Sequence, residues 1–95
     1  MAFFSGDVGV VLTFNVTENG GPVDLSAAQS IQFLLPVAGG VLSLDCTIPT
    51  SPTGSPTYTT TGGEGIPKGT NQGQLRIVFD ANHVFLTDTF QVFVK

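Results

Sequence analysis

Apolar residues occupy every second position along most of this chain, and this alternation limits the fold more than any other feature of the sequence. Val10, Leu12 and Phe14 alternate with Val11 and Thr13, the pattern of a strand with one buried face. No segment sustains the 3.6-residue period of a helix. We therefore expect an all-β fold, an antiparallel two-sheet immunoglobulin-like β-sandwich of six to seven short strands. Later strands are predicted in the segments 30–36, 41–47, 57–61, 75–80 and 90–95.

A tight reversal is predicted after the first strand, at residues 18–21. This segment reads Glu-Asn-Gly-Gly, and Asn and Gly tolerate a positive φ. Val23 and Leu25 then flank Asp24, and we expect both apolar side chains to enter the core. Asp24 or Ser26 is suited to accept backbone N–H groups and to stabilise a single turn at the following corner.

Loops rich in Pro or Gly divide the second half of the chain. They cover residues 48–56 and 62–72, and Ile66 in the second loop is a possible apolar pin. Residues 81–86 are predicted to be a connection between strands. At 95 residues the chain is expected to form one domain. We divide it into an N-terminal arm, 1–7, and a single β-sandwich domain, 8–95.

Charge is scarce in this sequence. Charged residues make up 11% of the chain, against about 25% in a typical domain. Such a surface is expected either of an assembly subunit whose surface is covered by partners or of a small β domain with a Ser/Thr/Asn/Gly surface. The net charge is −4 with three basic residues, which argues against binding to a nucleic-acid backbone.

The N-terminal segment has no basic region followed by a long apolar run, so no secretory signal is predicted. No apolar stretch approaches the length of about 20 residues that a membrane span requires, and no membrane contact is expected. Cys46 is the one cysteine, which excludes an intrachain disulfide and fits synthesis in a reducing cytoplasm.

No combination of residues predicts catalysis, a cofactor or a metal. His83 is the one histidine and lies in a predicted connection, and Cys46 is in phase with buried positions, as expected of an inert thiol. The Gly-rich segment 62–70 lacks the spacing of a phosphate-binding loop. The acidic residues are scattered singly, which leaves open only a calcium site assembled from several loops.

Several apolar residues are predicted to point outward, and exposed apolar residues often mark contact sites. We therefore predict partner contact by five strand residues and by two phenylalanines of the arm. The alternative is that loops cover some of the five, or that they lie on a sheet with two buried faces. The seven predicted contact residues are Phe3, Phe4, Val11, Leu34, Val41, Val78 and Phe93.

Five segments together resemble a known family. Residues 6–9 lead into the first strand, and residues 19–26 contain a Pro-Val-Asp-Leu-Ser step before Ile-Gln-Phe at 31–33. Gly-Ser-Pro-Thr-Tyr at 54–58 and Gly-Gln-Leu-Arg-Ile at 73–77 follow. This order resembles the N-terminal β-sandwich domain of tailed-phage baseplate upper proteins and related small virion proteins.

The resemblance implies a non-enzymatic structural protein that docks on other virion proteins of the capsid, neck, tail or baseplate. It also implies a homo-oligomer or many copies on a symmetric particle, located in the virion after synthesis in the host cytoplasm. It supplies no catalytic residue and no cofactor. The alternative is a glycan-binding module for host-surface sugars, for which the absence of Trp and the single Tyr offer little support.

Overall fold

The computed structural model describes residues 2–18 and 21–95, and all regular structure in these residues is β. No helix of the described residues is long and apolar enough to cross a membrane. The strands within the described part of the chain are β1 (Ala2–Phe3), β2 (Val8–Thr13), β3 (Thr17–Glu18), β4 (Gly21–Pro22), β5 (Ser30–Val37), β6 (Gly40–Asp45), β7 (Thr57–Thr61), β8 (Gly69–Asp80), β9 (His83–Leu86) and β10 (Phe90–Val94).

The larger layer is a six-stranded sheet in the order β1-β10-β8-β5-β6, with β9 also paired to β8. Strand β8 is 12 residues long and organises this sheet. Its N-terminal half pairs with β10, and its C-terminal half pairs with β5 and β9. All these pairings are antiparallel, whereas β1 runs parallel to β10.

The second layer is the antiparallel pair β2–β7, with the short hairpin β3–β4 beside it. Thr47, just after β6, exchanges backbone hydrogen bonds of 2.7 and 3.3 Å with Thr57 at the start of β7. This bridge joins the two layers at one corner. The prediction of an all-β sandwich with antiparallel strands is therefore confirmed, and its likeness to immunoglobulin domains stays a prediction.

The core fills the space between the layers. Phe33, Ile77 and Val92 have no exposed side-chain surface, and Phe14 of the smaller layer is 4% exposed. The rings of Phe14 and Phe33 lie 4.9 Å apart, and the ring of Phe90 lies 5.7 and 5.9 Å from them. Aromatic pairs at such distances are stabilising beyond the area they bury. The predicted inward phase of the strands is confirmed by this burial.

The predicted corner after the first strands is also confirmed. Asp24 accepts hydrogen bonds from the N–H and the hydroxyl of Ser26 at 3.0 and 2.6 Å. These bonds lower the pKa of the Asp24 carboxyl below its ordinary value. Leu25 is 1% exposed and Val23 packs against the core. Residues 19 and 20 of the predicted reversal lie outside the described residues.

Two loop predictions are wrong. The segment 81–86 contains β9, because Asp80 accepts the N–H of Asn82 at 2.8 Å and so closes a tight turn. The segment 62–72 contains the first residues of β8, which starts at Gly69 with a φ of 108°. The turn at 80–82 joins β8 and β9 into a hairpin. The pin predicted at Ile66 is confirmed, since its side chain is buried in the core.

Candidate docking surfaces

The outward face of the six-stranded sheet carries five of the seven predicted contact residues, spread over its strands. Strand register places Leu34 opposite Ser43, Val41 opposite Pro36, and Val78 opposite Val84. Val41 is 63% exposed, and Leu34 and Val78 are half-buried. Phe93 and Phe4 lie at the β10–β1 end of the same sheet and are exposed. We call this surface the outer face; its predicted contact residues are Phe4, Leu34, Val41, Val78 and Phe93.

Sequence reasoning missed two further apolar residues of the outer face. Val84 and Leu86 of β9 are 43% and 57% exposed. They alternate with Phe85, which packs against the core. This alternation is present in the sequence at 84–86, within the segment predicted to be a connection. One row across the face is polar, since Arg76 lies between Leu86 and Gln32, and Gln32 lies opposite Asp45.

The other two predicted contact residues lie elsewhere. Val11 is exposed on β2, in the smaller layer. Phe3 of the predicted N-terminal arm is only 7% exposed and lies in the core, not on a surface available for contact. The reason is β1: Lys95 donates its N–H to the carbonyl of Phe3, and Ser5 donates to the carbonyl of Lys95, both at 2.9 Å. The Lys95 ammonium lies 5.7 Å from the Phe4 ring centroid.

A groove of about 640 Å³ separates the end of β2 from the β9–β10 segment. One wall is formed by residues 13–17 and the other by residues 85–91. Phe14, Leu75 and Phe90 form an apolar floor, and the rim is polar. Sequence reasoning did not find this groove, because its walls come from segments more than 60 residues apart and depend on how the two layers meet.

Hydrogen bonds fix the wall at Thr87. Thr87 donates its N–H to the carbonyl of Leu75, and its hydroxyl accepts the N–H of Leu75, both at 3.0 Å. The side-chain amide of Gln74 donates to the carbonyl of Thr87 at 2.7 Å. The wall is thus held in place by the edge of β8, so the groove is a preformed feature of the fold.

A separate polar cluster surrounds Glu64. Its carboxylate accepts the hydroxyl of Tyr58 at 2.5 Å, the N–H of Thr61 at 2.6 Å and the N–H of Gly62 at 3.1 Å. Partial desolvation opposes ionisation of Glu64, but these hydrogen bonds outweigh it and lower the pKa to about 2. Desolvation, followed by the hydrogen bond to Glu64, raises the pKa of Tyr58 to about 12. The cluster anchors the loop that carries Ile66 into the core.

His83 lies against aromatic rings, and Cys46 is half-buried. The His83 ring lies against Phe79 and Phe85 at 5.0 and 5.2 Å between ring centroids. Cys46 is half-buried, and desolvation followed by the charge of Asp45 raises the pKa of its thiol to about 11. Such a thiol is a poor nucleophile at neutral pH. Within residues 2–18 and 21–95, no group of three or more His, Cys, Asp or Glu residues could hold a metal ion.

No protein-family model and no curated protein matches the sequence. Among solved structures, the chain is similar to the N-terminal domain of phage TP901-1 ORF48, with a TM-score of 0.77 at 18% sequence identity. The similarity covers 99% of this chain and 82% of that one. The resemblance to an N-terminal sandwich domain of a phage protein is therefore confirmed at the level of the fold: this chain shares the fold of the ORF48 domain.

Proposed function

We propose that this protein is a non-enzymatic structural subunit of a tailed-phage virion that docks on other virion proteins. The observation that carries the proposal is the likeness of nearly the whole chain to the N-terminal domain of phage TP901-1 ORF48. The sequence resemblance to baseplate upper proteins points to the same class of particle. Repeated copies on a symmetric particle add avidity to contacts that are individually weak.

The outer face supports this proposal and is its docking surface. It carries exposed Val41, Val84 and Leu86 in one sheet, and the polar row that contains Arg76 and Asp45 crosses the sheet between Val84 and Val41. Apolar side chains with few charges are typical of the central part of a protein–protein interface. An isolated monomer with the same surface would expose a patch that favours association.

The location is tested by quantitative mass spectrometry of purified particles, with intact virions compared against separated heads and tails. Copies that track with tails support an adaptor or baseplate subunit, and hundreds of copies that track with heads support a capsid decoration protein. Absence from every fraction would refute the virion assignment and would favour the glycan-binding alternative.

The docking surface is tested by substitutions on the two layers. We expect Val41→Asp combined with Val84→Asp to lower incorporation into particles at least about tenfold, since each charge is buried in a contact. Val8→Asp is the matched control, because Val8 is 75% exposed and lies on the smaller layer. Deletion of residues 1–6 does not test docking alone, since it also removes β1 and the buried Phe3 from the fold.

A further inference from the structure

Within the residues that the structure describes, the edge of β2 that faces away from β7 is open. Phe14 donates its N–H to the carbonyl of Pro56 at 3.0 Å, toward β7. Backbone groups alternate in direction along a strand, so the N–H and C=O groups of Val11 and Thr13 face the opposite way. Within the described part of the chain, no strand pairs with that edge and no hydrogen bond reaches these groups.

We propose that this edge and the adjoining groove bind an extended strand of another protein by β-strand addition. The inference deepens the proposed function and rests on it, since a virion protein would supply the strand. Open backbone donors and acceptors in a row select an extended peptide over other ligands, because only a strand matches their spacing. A sugar or a helix offers no such repeated pairing.

The groove continues the open edge. Thr13 belongs to both, and the wall runs on from Thr13 to Thr17. The stretch from Val11 to Asn15 lies before the β3–β4 hairpin, in which Thr17 pairs with Pro22. These five residues span about 16 Å of extended chain at 3.3 Å per residue. A strand bound along it would direct every second side chain toward the apolar floor at Phe14 and Phe90. The partner segment therefore carries apolar residues at alternate positions.

Charge defines one more property of the partner. Among the described residues that line the groove, Asp88 is the one charged residue, and it stands on the exposed rim. The chain as a whole has a net charge of −4. The partner strand is thus expected to place a Lys or Arg on its outward side near Asp88. Electrostatic complementarity of this kind sets register and association rate more than affinity.

The probe is the synthetic peptide acetyl-Thr-Val-Thr-Val-Lys-Val-Thr-amide, titrated into the intact protein labelled with ¹⁵N. We expect amide chemical-shift changes confined to residues 11–17 and 85–91, and slower hydrogen exchange at Val11 and Thr13. The same peptide with alternate backbone nitrogens methylated is the control, because it keeps the side chains and loses the strand pairing. No shift at millimolar peptide, or equal shifts with the methylated peptide, would overturn the proposal.

Two variants place the binding site. Thr13→Pro removes an N–H that faces away from β7, a position where an edge strand tolerates proline, and it should weaken peptide binding at least about tenfold. Ser43→Pro is the matched control on the open edge of β6 and should leave binding unchanged. Asp88→Lys, which does not alter the backbone, should weaken binding up to about fivefold. The site would be refuted if the Thr13→Pro and Asp88→Lys proteins both bound the peptide as tightly as the unsubstituted protein does.

A second titration uses maltoheptaose. Shifts of residues 11–17 and 85–91 with this oligosaccharide but not with the peptide would overturn the strand proposal and favour a glycan groove. The result of the peptide titration can be distinguished from the result of the particle analysis that tests the proposed function. Peptide binding can fail while the protein is found in particles, and the protein can be absent from particles while the peptide binds.

Discussion

The two faces of the six-stranded sheet carry similar side chains in opposite environments. On the inner face, Phe33 and Val92 have no exposed surface, whereas on the outer face Phe93 is 41% and Val41 is 63% exposed. All four lie in strands of one sheet, in which successive side chains point to opposite faces. The difference is that the smaller layer covers only one face. Apolar content therefore does not distinguish the residues that stabilise this fold from those available for contact.

The comparison separates two kinds of energy. Burial of the inner face stabilises the chain on its own, at about 25 cal/mol for each Å² of apolar surface removed from water. The outer face can gain the same free energy only when a partner covers it. Substitutions on the inner face should accordingly change the free energy of unfolding, and substitutions on the outer face should change association.

The largest effect is expected from Phe33→Ala. Phe33 is fully buried and contacts the rings of Phe14 and Phe90. Truncation leaves a cavity and should lower the free energy of unfolding by about 3–5 kcal/mol, as measured by urea denaturation. Phe93→Ala on the outer face is the control, and it should cost clearly less. Equal losses of unfolding free energy for the two variants would contradict the distinction between the inner and the outer face.

Gly73→Ala should have the second-largest effect on stability, because the inner face leaves no space for the methyl group of alanine. A Cβ at this position would lie 2.8 Å from a ring carbon of Phe33 and 2.8 Å from one of Phe90. Overpacking of a dense core costs about 1–3 kcal/mol, and the thermal midpoint should fall accordingly. Gly63→Ala is a control, since a Cβ there meets no atom within 4 Å. A Gly73→Ala protein as stable as the wild type would mean that the aromatic cluster is loosely packed.

A smaller effect is expected from Glu64→Gln, at the margin of the inner face. The amide cannot accept all the hydrogen bonds that Tyr58, Thr61 and Gly62 donate to the carboxylate. Glu64 is partly exposed, so we expect a loss of about 1 kcal/mol at pH 7. The loop that carries Ile66 should loosen, which hydrogen exchange of residues 62–68 measures. Unchanged exchange in this loop would show that Glu64 does not anchor it.

The same variant tests pH dependence. Its hydrogen bonds lower the pKa of Glu64 from the ordinary value of 4.5 to about 2 in the folded protein. The unfolded chain therefore takes up a proton at higher pH than the folded chain does, and this contribution to stability is present above pH 4.5 and lost as the pH falls toward 2. In Glu64→Gln the loss over this range should be smaller. The lowered pKa of Asp24 should leave a residual decline in both proteins.

The inner face could be predicted from the sequence, and the groove could not. Alternation alone placed Leu12, Phe33 and Leu75 in the core, because burial of one side of a strand is a local rule. The burial of Phe3 could not be predicted, because it depends on a parallel pairing with Val94 of β10, 91 positions along the chain. The open edge of β2 depends on which strands are missing beside it. Such properties follow from topology, which alternating patterns do not encode.

The smallest effect should come from Val41→Thr, which changes one outer-face methyl group to a hydroxyl. Val41 is 63% exposed, so the hydroxyl stays hydrated and the free energy of unfolding should change by less than about 0.5 kcal/mol. The identical substitution at Val92, which has no exposed surface, buries a hydroxyl and should cost about 1–3 kcal/mol. Urea denaturation of the two variants in parallel measures the difference. Because the chemical change is the same, unequal losses can arise only from the surroundings of each side chain, and equal losses would mean that the outer face is as important to the isolated fold as the inner one.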